Sequence, residues 1–268
     1  GAGKTTLIRV LATLLRPDSG SARVAGHDVV REAGQVRRRI ALSGQHTSVD
    51  DELDGRANLM LIGRLLNLSR ADATRRADEL LGRFGLDEVA ARRVSTYSGG
   101  MRRRLDLAVS LVGRPEVVFL DEPSVGLDPG KREELWQLIR DLRADGVTIL
   151  LTTQYLEEAD ALADVITVVS DGKVVADGTP AELKQRVGGR TVSVRVHDPA
   201  DAERAAGILA AVTEREPQRP TRQELAVPVS GDDEFFRIAG LLRDEGVGVS
   251  ELSLRLPSLD EAFRALTR

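Results

Sequence analysis

Two stretches carry residues whose types and spacing can do chemistry. The first is Gly1-Ala2-Gly3-Lys4-Thr5-Thr6, whose Gly3, Lys4 and Thr5 close the phosphate-binding pattern G-x-x-x-x-G-K-[ST]. A polyphosphate needs backbone N–H groups at short range, which glycine permits, at the positive end of a helix. A lysine in that place reaches the terminal phosphates, and the threonine hydroxyl is an oxygen donor for Mg²⁺. The second is Asp121-Glu122, which follows the apolar run Val117-Val118-Phe119-Leu120 between Pro115 and Pro123. Such a run reads as a strand buried on both faces of a parallel sheet. A carboxylate pair at its carboxyl end lies where α/β sheets bind ligands and hold a metal. Taken singly, the first stretch is also a glycine turn with an incidental lysine and the second a solvated strand end; together they select phosphate chemistry.

The elements that must position these groups follow from periodicity. Leu7, Val10, Leu11, Leu14 and Leu15 recur at helical spacing, so the lysine loop opens onto a helix. Strands are expected at 22–25 and 40–43, and Gln45 comes directly after the second. Its amide oxygen can ligate Mg²⁺, although a plain loop glutamine is the simpler reading of Gln45 alone. From about 46 to 113 the strands give way to amphipathic helices carrying Leu59, Ile62 and Leu66, then Ala73, Ala77, Leu80, Leu81 and Phe84. Within this helical block Ser98-Gly99-Gly100-Met101 opens another helix, with Leu105, Ala108, Val109 and Val112 as its buried stripe. Arg102, Arg103 and Arg104 crowd its first turn, where the helix dipole disfavours cations. An external anion would relieve that conflict; a solvated basic face with arginine stems lying on apolar surface is the alternative.

The formal net charge of −4 and the absence of a basic arm remove any general electrostatic case for nucleic acid as a partner. Cysteine is absent, which excludes disulfides, thiol nucleophiles and Cys-ligated zinc. His27, His46 and His197 show no ligand spacing. No run approaches the ~18 apolar residues of a spanning helix, so a membrane role requires another chain to cross the bilayer.

The lysine loop, Gln45, the Ser98-Gly99-Gly100 turn, the strand ending in Asp121-Glu122, and Gly126-Leu127-Asp128 together resemble the nucleotide-binding subunit of ABC transporters, over residues 1 to about 185. The resemblance implies a P-loop NTPase (ABC ATPase) α/β fold and a head-to-tail homodimer holding two ATP molecules, each between one subunit's lysine loop and the other's Ser98-Gly99-Gly100 turn. It implies that Gly1 to Thr6 hold phosphates, that Thr5, Gln45 and Asp121 surround Mg²⁺, that Glu122 is the general base, and that Asp128 links the two sites. It also implies an integral membrane permease as partner and a peripheral place on the cytoplasmic face of the membrane.

Tyr97 and Met101 stand where the family commonly has leucine and glutamine. Gln154 is the larger departure, because a histidine that touches the γ-phosphate is usual there. Gln154, the stretch GQHTSVDDELDGRANL and the carboxyl-terminal extension are similar to the daunorubicin/doxorubicin-resistance branch, which implies export of hydrophobic drugs. Export of lipid or polysaccharide, or a non-transport ATPase clamp, are the alternatives. The chain begins within the lysine motif, beyond its first glycine, so it reads as a fragment that is expected to bind ATP poorly or not at all.

The first domain is expected to close near 187, after a hairpin at 164–177 turned by Asp171-Gly172 and a helix with the capping box Thr179-Pro180-Ala181-Glu182. Gly188-Gly189 marks the boundary. Residues 190–268 then give strand 191–196, helix 200–212, a strand pair within 217–229, helix 232–245 and strand 249–255, a βαββαβ order that predicts a small α+β ferredoxin-like domain. A last capped helix starts at Ser258, with Glu261 three residues on. This accessory domain holds no catalytic constellation and is expected to be structural or dimer-stabilising, with a regulatory role as the alternative.

Overall fold

The computed structural model describes residues 2–44, 49–186, 190–255 and 258–266. Gly1, Gln45, His46 and the Gly188-Gly189 boundary lie outside them. The chain divides into two compact units, Gly1–Leu162 and Ala163–Arg268. The hairpin and helix that the sequence assigns to the end of the first domain lie beyond that division.

The first unit runs α1 (Lys4–Leu11), β1 (Arg23–Val24), β2 (His27–Asp28), α2 (Ala33–Arg37), β3 (Ile40–Ser43), α3 (Gly55–Leu65), α4 (Arg70–Arg83), α5 (Gly99–Ser110), β4 (Val117–Asp121), α6 (Pro129–Ala144), β5 (Thr148–Thr152) and α7 (Leu156–Leu162). Strands β3, β4 and β5 form a parallel sheet with β4 in the middle. Successive β4 side chains alternate between faces. Phe119 enters a core with Ile8, Ala12 and Val36, while Val118 and Leu120 enter the larger core with Leu105, Ala108, Leu135 and Ile139. This double burial is why the strand reads as an unbroken apolar run.

The helical block packs as expected, with differences at helix ends. Leu59, Ala73, Ala77, Leu80, Leu81 and Phe84 are buried, but Leu66 is 50% exposed, because α3 stops at Leu65. Gly63 lets α3 and α4 approach closely; a Cβ there would lie 2.9 Å from that of Ala73. The stripe expected on α1 is corrected more strongly. Ile8 and Ala12 are its buried positions, and Leu7, Leu14 and Leu15 are exposed. The helix ends at Leu11 and Thr13, at φ 63°, turns the chain, so helical spacing no longer governs Leu14 and Leu15.

The second unit begins with the hairpin β6 (Ile166–Ser170) and β7 (Lys173–Gly178), joined by Asp171 and Gly172 at φ 48° and 73°. Positive φ at both central residues suits the twist of a two-residue hairpin. Next come α8 (Pro180–Arg186), β8 (Thr191–Val196), α9 (Ala202–Thr213), β9 (Glu224–Pro228), α10 (Asp232–Asp244), β10 (Val249–Arg255) and α11 (Leu259–Leu266). Both capping boxes form: Thr179 and Ser258 exchange backbone-to-side-chain bonds with Glu182 and Glu261. The antiparallel order is β10-β8-β9, and Gln218 bridges to Ala226 on the outer side of β9. That single bridge occupies the place of the second strand in a βαββαβ sheet. Pro217 and Pro220 flank it and supply no N–H, which explains why the expected strand pair reduces to one strand and a bridge. Val192, Val194 and Val196 pack with Leu209, Leu225, Val227, Ile238 and Leu242 in this unit's own core.

Candidate functional site

Helix α1 opens at Gly3, which takes the left-handed conformation at φ 93°. A glycine N-cap has no side chain to satisfy the N–H groups of the first turn, so these face outward as anion donors. Ala2 is half-buried and Thr6 is exposed. Lys4 Nζ donates to the carbonyl oxygen of Thr153 at 3.0 Å. Thr5 Oγ1 donates to Asp121 Oδ1 at 3.3 Å. The lysine loop therefore meets the carboxyl end of β4.

Asp121 is 5% exposed. Its Oδ1 also accepts from Thr152 Oγ1 at 2.5 Å, across the paired ends of β4 and β5. Glu122 departs from strand geometry at φ 50°, and its N–H meets the carbonyl oxygen of Thr152 at 3.0 Å and Thr152 Oγ1 at 3.2 Å. Left-handed backbone is costly for a residue with a Cβ, and such strain persists where neighbours fix it. Thr152 was not among the residues singled out from sequence. A threonine in a strand is ordinary, and only the strand register discloses its bonds.

The Ser98-Gly99-Gly100 turn caps α5: Ser98 Oγ accepts from Met101 N at 3.2 Å. A Cβ on Gly99 would meet open space, whereas one on Gly100 would lie 2.8 Å from Lys131 Cδ. Asp128 caps α6 by accepting from Lys131 N at 3.0 Å, and it also pairs with Lys131 Nζ at 2.5 Å. Asp128 and the glycine turn are thus joined within one chain through Lys131. The bonds to Lys131 hold the Asp128 carboxyl below the usual carboxylate range.

Both readings of the arginine run give way to a third. Arg102 pairs with Asp51 at 2.8 Å and donates to the Val94 carbonyl. Arg104 donates to the Phe84 carbonyl. Arg103 is largely buried and donates to the carbonyls of Pro123 at 2.9 Å and Gly44 at 3.0 Å, beside Asp106. Burial lowers its pKa against the opposing charges of Asp106 and Glu158. Internal carbonyls and carboxylates thus compensate the dipole conflict. Gln154 is exposed, next to the Thr153 carbonyl that Lys4 occupies. A cleft of about 920 Å³ lies elsewhere, between Arg37, Leu42, Leu68, Arg76, Val112 and Pro115.

Among the described residues no cluster of three His, Cys, Asp or Glu could hold a metal alone. A hydroxyl and a carboxylate 3.3 Å apart are hard oxygen donors, the partial set that suits Mg²⁺ completed by phosphate and water. Among the described residues no helix is long and apolar enough to cross a membrane.

Comparison with known proteins agrees with this geometry. Residues 1–125 match the family described as "ABC transporter". The daunorubicin resistance ATP-binding protein DrrA3 of Streptomyces coeruleorubidus is 51% identical over all of this chain and 84% of its own length. The daunorubicin/doxorubicin resistance ATP-binding protein DrrA of Streptomyces peucetius is 48% identical, over 100% and 81%. A solved ATP-binding subunit of an ABC transporter superposes with a TM-score of 0.60 at 28% identity, covering 69% of this chain and 77% of that one. Identity at this level over the whole of this chain, with the lysine loop bonded to Asp121, shows that the chain belongs to the ABC transporter family as an ATP-hydrolysing, ATP-binding subunit of the daunorubicin/doxorubicin-resistance type.

Proposed function

We propose that this ATPase energises the efflux of hydrophobic drugs through a separate membrane permease, working as a head-to-tail homodimer held peripherally on the cytoplasmic face of the membrane. The observation that carries the enzymatic part is the bond from Thr5 Oγ1 to Asp121 Oδ1, which joins the phosphate loop to the acidic strand end. Gly3 and the first turn of α1 bind the phosphates through N–H groups, with Ala2 and Thr6 beside them, Gly1 belongs to the same phosphate-binding motif, and Lys4 adds its charge. Thr5 and Asp121 hold Mg²⁺, with Gln45 as a further ligand; the ion when bound neutralises phosphate charge. Glu122 accepts the proton of the attacking water, and Gln154 donates a hydrogen bond toward the terminal phosphate. Ser98, Gly99 and Gly100 contact the partner subunit's ATP, and Asp128 connects the two sites.

The drug as cargo is supported by the names of the relatives at 51% and 48% identity. Drug-stimulated ATPase activity of the protein co-purified with its permease tests it. Stimulation by lipid or polysaccharide alone would favour the alternative exporter. For the mechanism, Glu122→Gln is expected to retain ATP binding and lose hydrolysis; retained hydrolysis would remove Glu122 as the base.

A further inference from the structure

We propose that Thr152, at the end of β5, is a positioning residue that sets the metal-side carboxylate and the general base with one hydroxyl. Its Oγ1 donates to Asp121 Oδ1 at 2.5 Å and accepts from the backbone N–H of Glu122 at 3.2 Å. A hydroxyl has one donor and two acceptor sites, so both bonds form together. The carbonyl oxygen of Thr152 adds a second acceptor for the same N–H, at 3.0 Å. Thr152 is 9% exposed and Asp121 5%, so water does not compete freely for these bonds.

The consequence for Asp121 is directional. With Oδ1 committed to Thr152 and Thr5, the carboxylate cannot rotate, and Oδ2 keeps a fixed orientation. The consequence for Glu122 is conformational. Its left-handed backbone at φ 50° is unfavourable for a residue with a side chain, and the paired acceptors on Thr152 oppose relaxation toward extended geometry. Relaxation would swing the Glu122 carboxylate away from the water it must deprotonate. Misplacement of about 1 Å at a reacting group costs rate steeply, to about a hundredfold.

Thr152→Val keeps the shape and β-branching suited to a buried strand and removes only the hydroxyl. We expect kcat to fall about ten- to a hundredfold, with the KM for ATP unchanged to within about threefold, since Lys4 and Gly3 still bind the phosphates. Thr152→Ser, which restores the hydroxyl, is expected to recover most of the rate. Hydrogen exchange supplies a readout besides activity: the amide of Glu122 should exchange faster in Thr152→Val and return toward the wild-type rate in Thr152→Ser.

Unchanged kcat in Thr152→Val would overturn the inference, as would a serine variant impaired as fully as the valine one, which would assign the effect to volume. The inference rests on Glu122 as the base. Hydrolysis retained in Glu122→Gln would sink both, whereas an inactive Glu122→Gln beside a fully active Thr152→Val would sink this inference alone.

Discussion

Gln154 stands where protonation would matter most if the residue could be protonated. It is exposed and adjacent to Thr153, whose carbonyl oxygen takes the hydrogen bond of Lys4. An amide can donate there but carries no titratable charge, so turnover of the wild-type enzyme should show no titration from this position near the histidine pKa of ~6.5. Gln154→His is expected to introduce one, with kcat changing across about pH 6 to 7. Superimposable pH profiles would show the position to be idle. At this scale the legible residues were those fixed by spacing along the chain: Lys4 and Thr5 after Gly3, and Asp121-Glu122 after an apolar run. Thr152 was not legible, because its bonds depend on the pairing of Asp121 with Thr152 across parallel strands. Arg103 was misread for a related reason, since its acceptors are backbone carbonyls of Gly44 and Pro123, which no residue type announces.

The elements explain the departure at Tyr97, just before the glycine turn. Its hydroxyl donates to the Val89 carbonyl at 2.8 Å, and a Cβ placed on Gly55, the first residue of α3, would lie only 2.4 Å from that hydroxyl. Gly55→Ala should therefore cost about 1–3 kcal/mol by overpacking. Tyr97→Phe alone should cost about 1 kcal/mol for the lost hydrogen bond. In the double variant the alanine should cost less, because the clashing oxygen is gone, so the two changes couple favourably in a double-mutant cycle. Additive costs in urea denaturation would refute the contact. Burial first, and then the charge of Asp54, raise the Tyr97 pKa above its ordinary value near 10. The unfolded chain then loses this proton first, so its contribution to stability is present below pH 10 and declines as pH rises through the folded value. The neighbouring helix holds a buried ion pair. Arg103→Met would remove the cation beside buried Asp106 together with the donors to the Pro123 and Gly44 carbonyls, and an equilibrium loss of about 3–5 kcal/mol is expected. Helix periodicity located these elements, but their ends followed local geometry: α1 stops at Leu11, with Thr13 turning the chain, and α3 stops at Leu65, before the apolar stripes end.

At the scale of the whole molecule, the stretch from Ser98 to Asp128 spans groups assigned to two different ATP sites. Ser98 opens α5, β4 delivers Asp121 and Glu122, and Asp128 opens α6, with Lys131 packed against Gly100. The order of these groups was plain in the sequence. Their division between subunits came from the family resemblance, because periodicity within one chain says nothing about what faces a second copy. Subunit complementation tests that division. In the proposed head-to-tail homodimer each site would take Lys4 from one subunit and Ser98 from the other, so Lys4→Ala should inactivate both sites and Ser98→Arg should do the same through the opposing turn. In a mixed dimer of the two variants, one site combines both defects and the other takes Lys4 from the Ser98→Arg subunit and Ser98 from the Lys4→Ala subunit. That second site is intact. Random pairing puts about half the dimers in the mixed form with one of two sites whole, so mixing two inactive proteins should restore up to about a quarter of wild-type hydrolysis. If each ATP instead met Lys4 and Ser98 of the same chain, no pairing would assemble a whole site and the mixture would stay inactive.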